Sequence, residues 1–146
     1  SNEMLSALCN QMIVYVLRGM KADSSKIAST NNSNSELCYK MMNYIDTHLY
    51  TLTNLNEMAR DMGYNYSYLS ALFRKATTVS LSYYYRVKRL ETARLLLAEN
   101  KKSISQVAEL MNYSSIYAFS KSFREHYGVS PRKYLHQFTS NAIKSN

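Results

Sequence analysis

The sequence predicts an all-α fold, and three observations carry that prediction. Apolar residues recur at intervals of three and four through most of the 146 residues, which is the spacing of one helical face. Residues suited to helix starts and tight turns stand where these stripes begin and end. A pattern of helix, turn and helix also occurs twice, about fifty residues apart. We therefore expect two helix-turn-helix subdomains joined by a long central helix, preceded by a separate amphipathic helix and a linker.

Composition narrows the functional classes. Eighteen lysines and arginines against ten acidic residues give a net charge of +8, which favours a polyanionic partner, most often nucleic acid and less often an anionic membrane surface. No apolar run is long enough for a membrane span and no signal peptide is visible, so we expect a cytoplasmic protein. The two cysteines and three histidines show no metal-ligand spacing. We therefore expect no metal and no cofactor.

The first 35 residues are predicted to lie outside the basic domain. Residues 1–22 carry apolar residues at helical intervals, which indicates an amphipathic helix that cannot bury its face alone. In residues 23–35, nine of thirteen are Ser, Thr or Asn, a composition typical of a flexible linker. We expect the main domain to span residues 36–138 and a tail to follow at 139–146. A chain that opens without Met suggests a fragment of a longer protein.

The main domain is expected to open with a helix over Glu36–Tyr50 and then a first helix-turn-helix. Asn54 and Glu57 have capping-box spacing, and Gly63 stands where a sharp turn needs positive φ. Asn65 can cap a recognition helix at about residues 66–77. Four apolar residues of that helix fall on one face and should point inward: Leu69, Leu72, Phe73 and Ala76.

The second copy begins at Ser103, which has the S-x-x-Q spacing of a capping box with Gln106. Asn112 occupies the turn, because after Gly it is the residue that best tolerates positive φ. Ser114 or Ser115 can cap a second recognition helix at about residues 115–126, which should bury Phe119 and Phe123. A joining helix is expected over Ser82–Asn100, and a last short helix from Pro131 to about Gln137.

The two patterns match along their whole length, with one residue inserted in the second copy between the turn and the recognition helix. Three pairs are offset by 49 residues: Ala59/Ala108, Gly63/Asn112 and Tyr64/Tyr113. Further pairs are offset by 50: Leu69/Phe119, Phe73/Phe123, Val79/Val129, Ser80/Ser130 and Tyr84/Tyr134. Two matching copies in one chain indicate a helix-turn-helix protein far more strongly than a single copy would.

From these residues, positions 36–137 resemble the DNA-binding domain of the AraC/XylS family of bacterial transcription regulators. The most specific stretch is ISQVAELMNYSSIYAFSKSFREHYGVSPRKY, with RLETARLLL in the joining helix. The resemblance implies two recognition helices placed in successive major grooves of double-stranded DNA. It also leaves room for RNA polymerase as a second partner, and for a dimer formed through the N-terminal helix or an upstream sensing domain.

The chain departs from the family pattern at three turn positions. The family usually has Gly where Asn112 and Thr78 stand, and often Pro at Leu81. Asn112 tolerates the left-handed conformation, whereas the β-branched Thr78 is costly there. We therefore expect the exit turn of the first subdomain to differ from that of the second.

The resemblance also implies which side chains meet DNA. Base-reading positions map onto Ser67, Ser70 and Ala71 in the first copy and onto Ile116, Tyr117, Ser120 and Lys121 in the second. Arg74, Lys75 and Arg124 lie nearer the phosphates. Thr77 and Ser80 are further phosphate candidates, while Arg86, Lys88 and Arg89 either contact phosphates or solvate the joining helix.

The chemistry of these positions makes the two copies unequal. Ser67, Ser70 and Ala71 cannot pair bidentately with guanine or adenine, so direct readout by the first copy should be weak. We expect a preference for A·T-rich sites helped by DNA shape. Lys121 is the best candidate for a guanine contact, and a phosphate contact is equally compatible with its position.

Two other functional classes were weighed. A protein-interaction module with feeble DNA binding would suit the N-terminal helix and the poor side-chain set of the first copy. An enzyme is excluded as a prediction because the sequence contains no nucleophile–base order, no metal-hydrolase motif and no glycine-rich phosphate loop. We therefore predict a sequence-specific DNA-binding transcription regulator.

Overall fold

The computed structural model describes residues 28–144, and over that range the chain is entirely helical. Seven helices follow one another: α1 Ala28–Thr47, α2 Leu55–Met62, α3 Tyr66–Thr77, α4 Leu81–Ala98, α5 Ile104–Leu110, α6 Ile116–Tyr127 and α7 Pro131–Lys144. The predicted all-α fold is confirmed. The predicted N-terminal helix within residues 1–22 lies outside the described residues.

Two compact units divide the described chain between Arg86 and Val87, within α4. The first unit packs α1 against α2 and α3, and its fully buried side chains include Met41, Ile45, Met58, Leu69 and Phe73. The second unit packs α5, α6 and α7 and has its own core, in which Leu90, Leu97, Met111, Phe119 and Phe123 are fully buried. Each unit therefore contains one helix-turn-helix and its own apolar core.

The first helix starts earlier than the sequence indicates. It begins at Ala28, so residues 28–35, assigned above to the linker, are helical. Ser and Asn are only modestly poor helix formers, and no Gly or Pro interrupts the segment, so a helix anchored by the buried Leu37, Cys38 and Met41 can extend through it. Ser35 is itself buried, at 4% exposure.

The last helix runs further than expected. The sequence predicts an end near Gln137, but α7 continues to Lys144. Tyr134 stacks on Phe138 with ring centroids 6.2 Å apart, and Thr139 Oγ1 donates to the carbonyl of Leu135 at 2.7 Å. These contacts one turn apart support helix in a segment that was assigned to the tail.

The exit turn of the first unit corrects another expectation. Thr78 adopts the left-handed conformation, with φ 65° and ψ −1°, and its amide donates to the carbonyl of Arg74 at 2.8 Å. Gly128 ends α6 with φ 80° and the same 2.8 Å bond to Arg124. The two turns thus match despite the β-branched residue, so the predicted difference in geometry was wrong.

The reason lies in the neighbouring threonine. Thr77 is 1% exposed, and its hydroxyl donates to the carbonyl of Phe73 at 2.7 Å. The same hydroxyl oxygen lies 3.3 Å from the amide of Val79, and Thr78 Oγ1 donates to the carbonyl of Thr77 at 2.5 Å. This network holds the chain in the turn, and it also removes Thr77 from the phosphate candidates because a buried hydroxyl cannot reach DNA.

Candidate nucleic-acid interface

The first helix-turn-helix is built from local hydrogen bonds. Asn54 caps α2 by accepting from the amide of Glu57 at 3.1 Å, and Asn65 caps α3 by accepting from the amide of Ser67 at 2.8 Å. Between the two helices, Gly63 has φ 77° and the amide of Tyr64 donates to the carbonyl of Ala59 at 2.9 Å. These bonds set the angle at which α3 leaves the turn.

The second helix-turn-helix repeats this arrangement with other residues. Ser103 and Gln106 form the predicted capping box, with bonds of 3.1 and 2.9 Å. Asn112 takes the glycine's place at φ 59°, and the amide of Tyr113 donates to the carbonyl of Ala108 at 3.0 Å. Ser115 then caps α6 by accepting from the amide of Ala118 at 3.1 Å. The predicted turn residues and N-caps are confirmed in both copies. The reciprocal capping box forms at Ser103 and Gln106 but not at Asn54, because the Glu57 carboxylate accepts from the amide of Thr53 instead.

The predicted recognition helix α6 presents a cationic and aromatic face opposite its buried side. Tyr117 is 84% exposed, and Lys121 and Arg124 are also exposed. Phe119 and Phe123 are fully buried on the other side of the helix. Together with Ser120, Glu125 and Ser130, these three exposed side chains line a shallow groove of about 530 Å³ along this face. Of the predicted base readers, Ile116 is 39% exposed and Ser120 is half-buried.

The predicted recognition helix α3 presents a less charged face at its start. Ser67 and Ala71 are exposed and Ser70 is half-buried, whereas the cations Arg74 and Lys75 stand exposed in its last turns. Leu69, Phe73 and Ala76 are buried as predicted, and Leu72 is half-buried. Of the five side chains predicted for the first copy's interface, Ser67, Ala71, Arg74 and Lys75 are therefore exposed and Ser70 is half-buried.

Arg89 has a role that sequence reasoning missed. Its Nη1 donates to the carbonyl of Met111 at 3.1 Å, and its guanidinium carbon lies 4.4 Å from the centroid of the Tyr113 ring. The side chain thus ties α4 to the turn of the second helix-turn-helix, rather than solvating the helix or waiting for a phosphate. Nothing in the local spacing of charges signals such a contact, because it depends on tertiary packing.

Two titratable groups of the first unit have raised pKa values. Burial raises the pKa of the Cys38 thiol to about 11, which keeps it protonated and unreactive near neutral pH. The hydrogen bond to Asp61 raises the pKa of Tyr44 to about 12. No group of metal-ligating side chains occurs within residues 28–144, and no helix there is both long and apolar enough to span a membrane.

Comparison with known proteins bears on this interface. A family profile described as a helix-turn-helix domain matches residues 58–137. The chain is 30% identical to the regulatory protein SoxS of Salmonella typhimurium over 105 residues, which is 72% of this chain and 98% of that protein. It is 38% identical over 92 residues to the probable transcriptional regulator LumQ of Photobacterium leiognathi, covering 63% of this chain and 37% of LumQ.

Solved structures share the fold. An AraC-type transcriptional regulator from Chromobacterium violaceum matches with a TM-score of 0.64 and 25% identity, covering 73% of this chain and 96% of that one. The DNA-binding domain of AdpA, solved with a target DNA, matches with a TM-score of 0.65 and 20% identity, covering 71% and 94%. At that identity the second likeness shows the fold alone.

The fold, the turns and the matches together define a helix-turn-helix domain of the kind found in transcription regulators. The chain belongs to the AraC family of such regulators, as its sequence predicts. It spans about two fifths of the Msm operon regulatory protein of Streptococcus mutans, with which it shares 27% identity over 117 residues and 80% of its own length.

Proposed function

We propose that this chain binds promoter DNA as a two-part module, with α3 and α6 each entering a major groove. The observation that carries the proposal is the outer face of α6, where Tyr117, Lys121 and Arg124 stand exposed on a helix fixed by a cap at one end and a glycine turn at the other. Side chains near the start of such a helix are the ones that reach base edges. The net charge of +8 supports attraction to phosphates.

The second unit is the main sequence reader in this proposal. Lys121 can donate to guanine O6 and N7, while Ile116 and the ring of Tyr117 can contact apolar groups such as the thymine methyl. Arg124 lies further along the helix and suits a phosphate. In the first unit Ser67, Ser70 and Ala71 offer only short contacts, so we expect its half-site to be A·T-rich and read partly through DNA shape.

Selection from a random duplex library, followed by titration of the enriched site at several salt concentrations, tests the proposal. We expect two conserved sequence blocks about ten base pairs apart. We also expect log affinity to fall with log salt concentration, with a slope that corresponds to several neutralised phosphates. Binding without any enriched sequence would contradict it and would favour a protein-interaction module that docks RNA polymerase or another regulator.

The role of Lys121 needs a second measurement. Lys121→Ala is compared with the unaltered chain on the enriched duplex and on variants with each guanine replaced. A loss confined to one guanine, of about 1–3 kcal/mol, assigns Lys121 to base readout. An equal loss on every duplex assigns it to a phosphate.

A further inference from the structure

The two units treat one equivalent tyrosine in opposite ways. In the second unit Tyr113 is packed inward, with its ring centroid 5.2 Å from that of Phe119 and its face covered by Arg89. Its hydroxyl lies 3.4 Å from Ser122 Oγ. In the first unit the equivalent Tyr64 is 46% exposed, so it does not serve as a core residue there.

Tyr64 instead supports a second exposed tyrosine. Its ring stacks on that of Tyr68 with centroids 5.9 Å apart and planes 15° from parallel, and Tyr68 is 50% exposed. The nearby cation Lys40 lines the same groove as Tyr64, but its charge is paired with Glu36 at 3.3 Å. Two half-exposed rings that stack on each other are held in place before any ligand arrives, which lowers the entropy lost on binding.

The position of this pair at the start of α3 points to the ligand. Tyr68 is the third residue of α3. It therefore lies near the N-terminus, which is the part of a recognition helix that approaches base edges. Lys75 is exposed seven residues later, two helical turns along the same side. In α6 the matching positions hold Ala118 and Glu125, which provide neither a ring nor a cation.

We propose that the first unit contacts its half-site mainly through Tyr68, braced by Tyr64, and through Lys75, rather than through Ser67, Ser70 and Ala71. The ring of Tyr68 packs on a thymine methyl in the major groove, and Lys75 neutralises a flanking phosphate. The side of α3 that contacts DNA is thus centred on Tyr68 rather than on Ser67. The two sides differ by about 100° about the helix axis, which is the rotation between successive residues. This inference rests on the proposed DNA-binding function and adds the first unit's contact residues to it.

Replacing each thymine of the enriched site in turn by deoxyuridine, which lacks the methyl group, gives a direct test. Affinity is measured for the unaltered chain, Tyr68→Ala and the matched control Ser67→Ala, with thermal unfolding confirming that each variant is folded. We expect one thymine in the first block to cost about fourfold in affinity when its methyl is removed. That cost should vanish in Tyr68→Ala and persist in Ser67→Ala.

Lys75→Gln provides an independent arm. It should lower the slope of log affinity against log salt by about one, with the same preference among sequences. Tyr68→Phe should bind like the unaltered chain, because the ring and not the hydroxyl makes the contact.

Several outcomes would overturn the inference. Unchanged binding by Tyr68→Ala, or a larger loss in Ser67→Ala, would return the readout to the positions implied by the family. A methyl cost that persists in Tyr68→Ala would do the same. If Lys121→Ala still weakens a sequence-specific complex in those cases, the proposed function stands without this inference. If the unaltered chain enriches no sequence, both fall together.

Discussion

The first and second units build the same backbone from different side chains. At the turn inside each motif, Gly63 and Asn112 both have positive φ, and at the exit Thr78 and Gly128 both do. At these two turns each unit therefore places one glycine and one non-glycine in left-handed positions, but in opposite order. The comparison teaches that the hydrogen-bonded frame fixes the turn, and that residue identity sets only how much free energy the turn costs.

The units also differ in what ties the preceding helix to the motif. In the first, Tyr44 on α1 donates to Asp61 on α2 at 2.5 Å. In the second, Arg89 on α4 donates to the carbonyl of Met111, just after α5. Both contacts hold the preceding helix against its motif. The first joins a neutral hydroxyl to an exposed carboxylate and the second joins a cation to a backbone carbonyl, so we expect the two contacts to respond differently to pH.

The largest effect expected is the loss of a core ring, which tests whether the units are equally dependent on their cores. Phe73→Ala and Phe123→Ala each remove a fully buried phenyl group, and we expect each to lower the free energy of unfolding by about 3–5 kcal/mol. Denaturant unfolding followed by circular dichroism measures both. A difference between them above about 2 kcal/mol would show that the two cores are not equivalent.

The next largest effect concerns the contacts that cover the equivalent rings of Tyr113 and Tyr64. Arg89→Ala removes the bond to Met111 and the cation over Tyr113, and we expect a loss of about 2 kcal/mol. Tyr64→Ala removes only a half-exposed ring, so its loss should stay below about 1 kcal/mol. If thermal unfolding showed similar losses of stability for both variants, Tyr64 would contribute to packing as much as the Arg89–Tyr113 contact does.

The exit turns should respond in opposite directions. Thr78→Gly relieves the left-handed strain of a β-branched residue but adds chain entropy and removes a side-chain bond, so we expect a net gain of about 0.5–1 kcal/mol. Gly128→Thr imposes the strain without an equivalent of Thr77 beside it, because Tyr127 occupies that position, and should cost at least about 1 kcal/mol. Destabilisation by Thr78→Gly would show that the threonine network outweighs the strain.

The smallest effect concerns alkaline pH. The pKa of Tyr44 is raised from 10.0 to about 12 in the folded chain, so its hydrogen bond contributes stability that is fully present below pH 10 and is lost as pH rises through 12. Tyr44→Phe should therefore be less stable than the unaltered chain at pH 8, and the difference should shrink between pH 10 and 12. A difference that stays constant over that range would exclude the hydrogen bond as its source.

Much of the fold could be predicted because its signals are local. The caps at Asn54, Asn65 and Ser103 and the buried Phe73 and Phe123 follow from spacing within a few residues. The length of α1 and α7 could not, since weak helix formers such as Ser and Asn extend a helix once packing anchors its neighbour. The left-handed Thr78 was misjudged for a related reason, because the network around Thr77 that stabilises it depends on the folded turn.

The candidate interface was predictable only in outline. The outer positions of α3 and α6 follow from helical periodicity, and the structure leaves most of them accessible. Whether a tyrosine turns inward, as Tyr113 does, or outward, as Tyr64 does, depends on which neighbour covers its ring. Arg89 supplies that cover in the second unit, and no pattern of sequence spacing reveals it.

The buried thiol of Cys38 also allows the opening of the first unit to be measured by chemical labelling. A protonated side chain with no exposed surface cannot react with an alkylating reagent until its unit opens, so the rate of labelling reports the frequency of opening. With Cys9 replaced by serine, the signal comes from one atom in one half of the molecule. The opening of that half could then be timed with and without DNA.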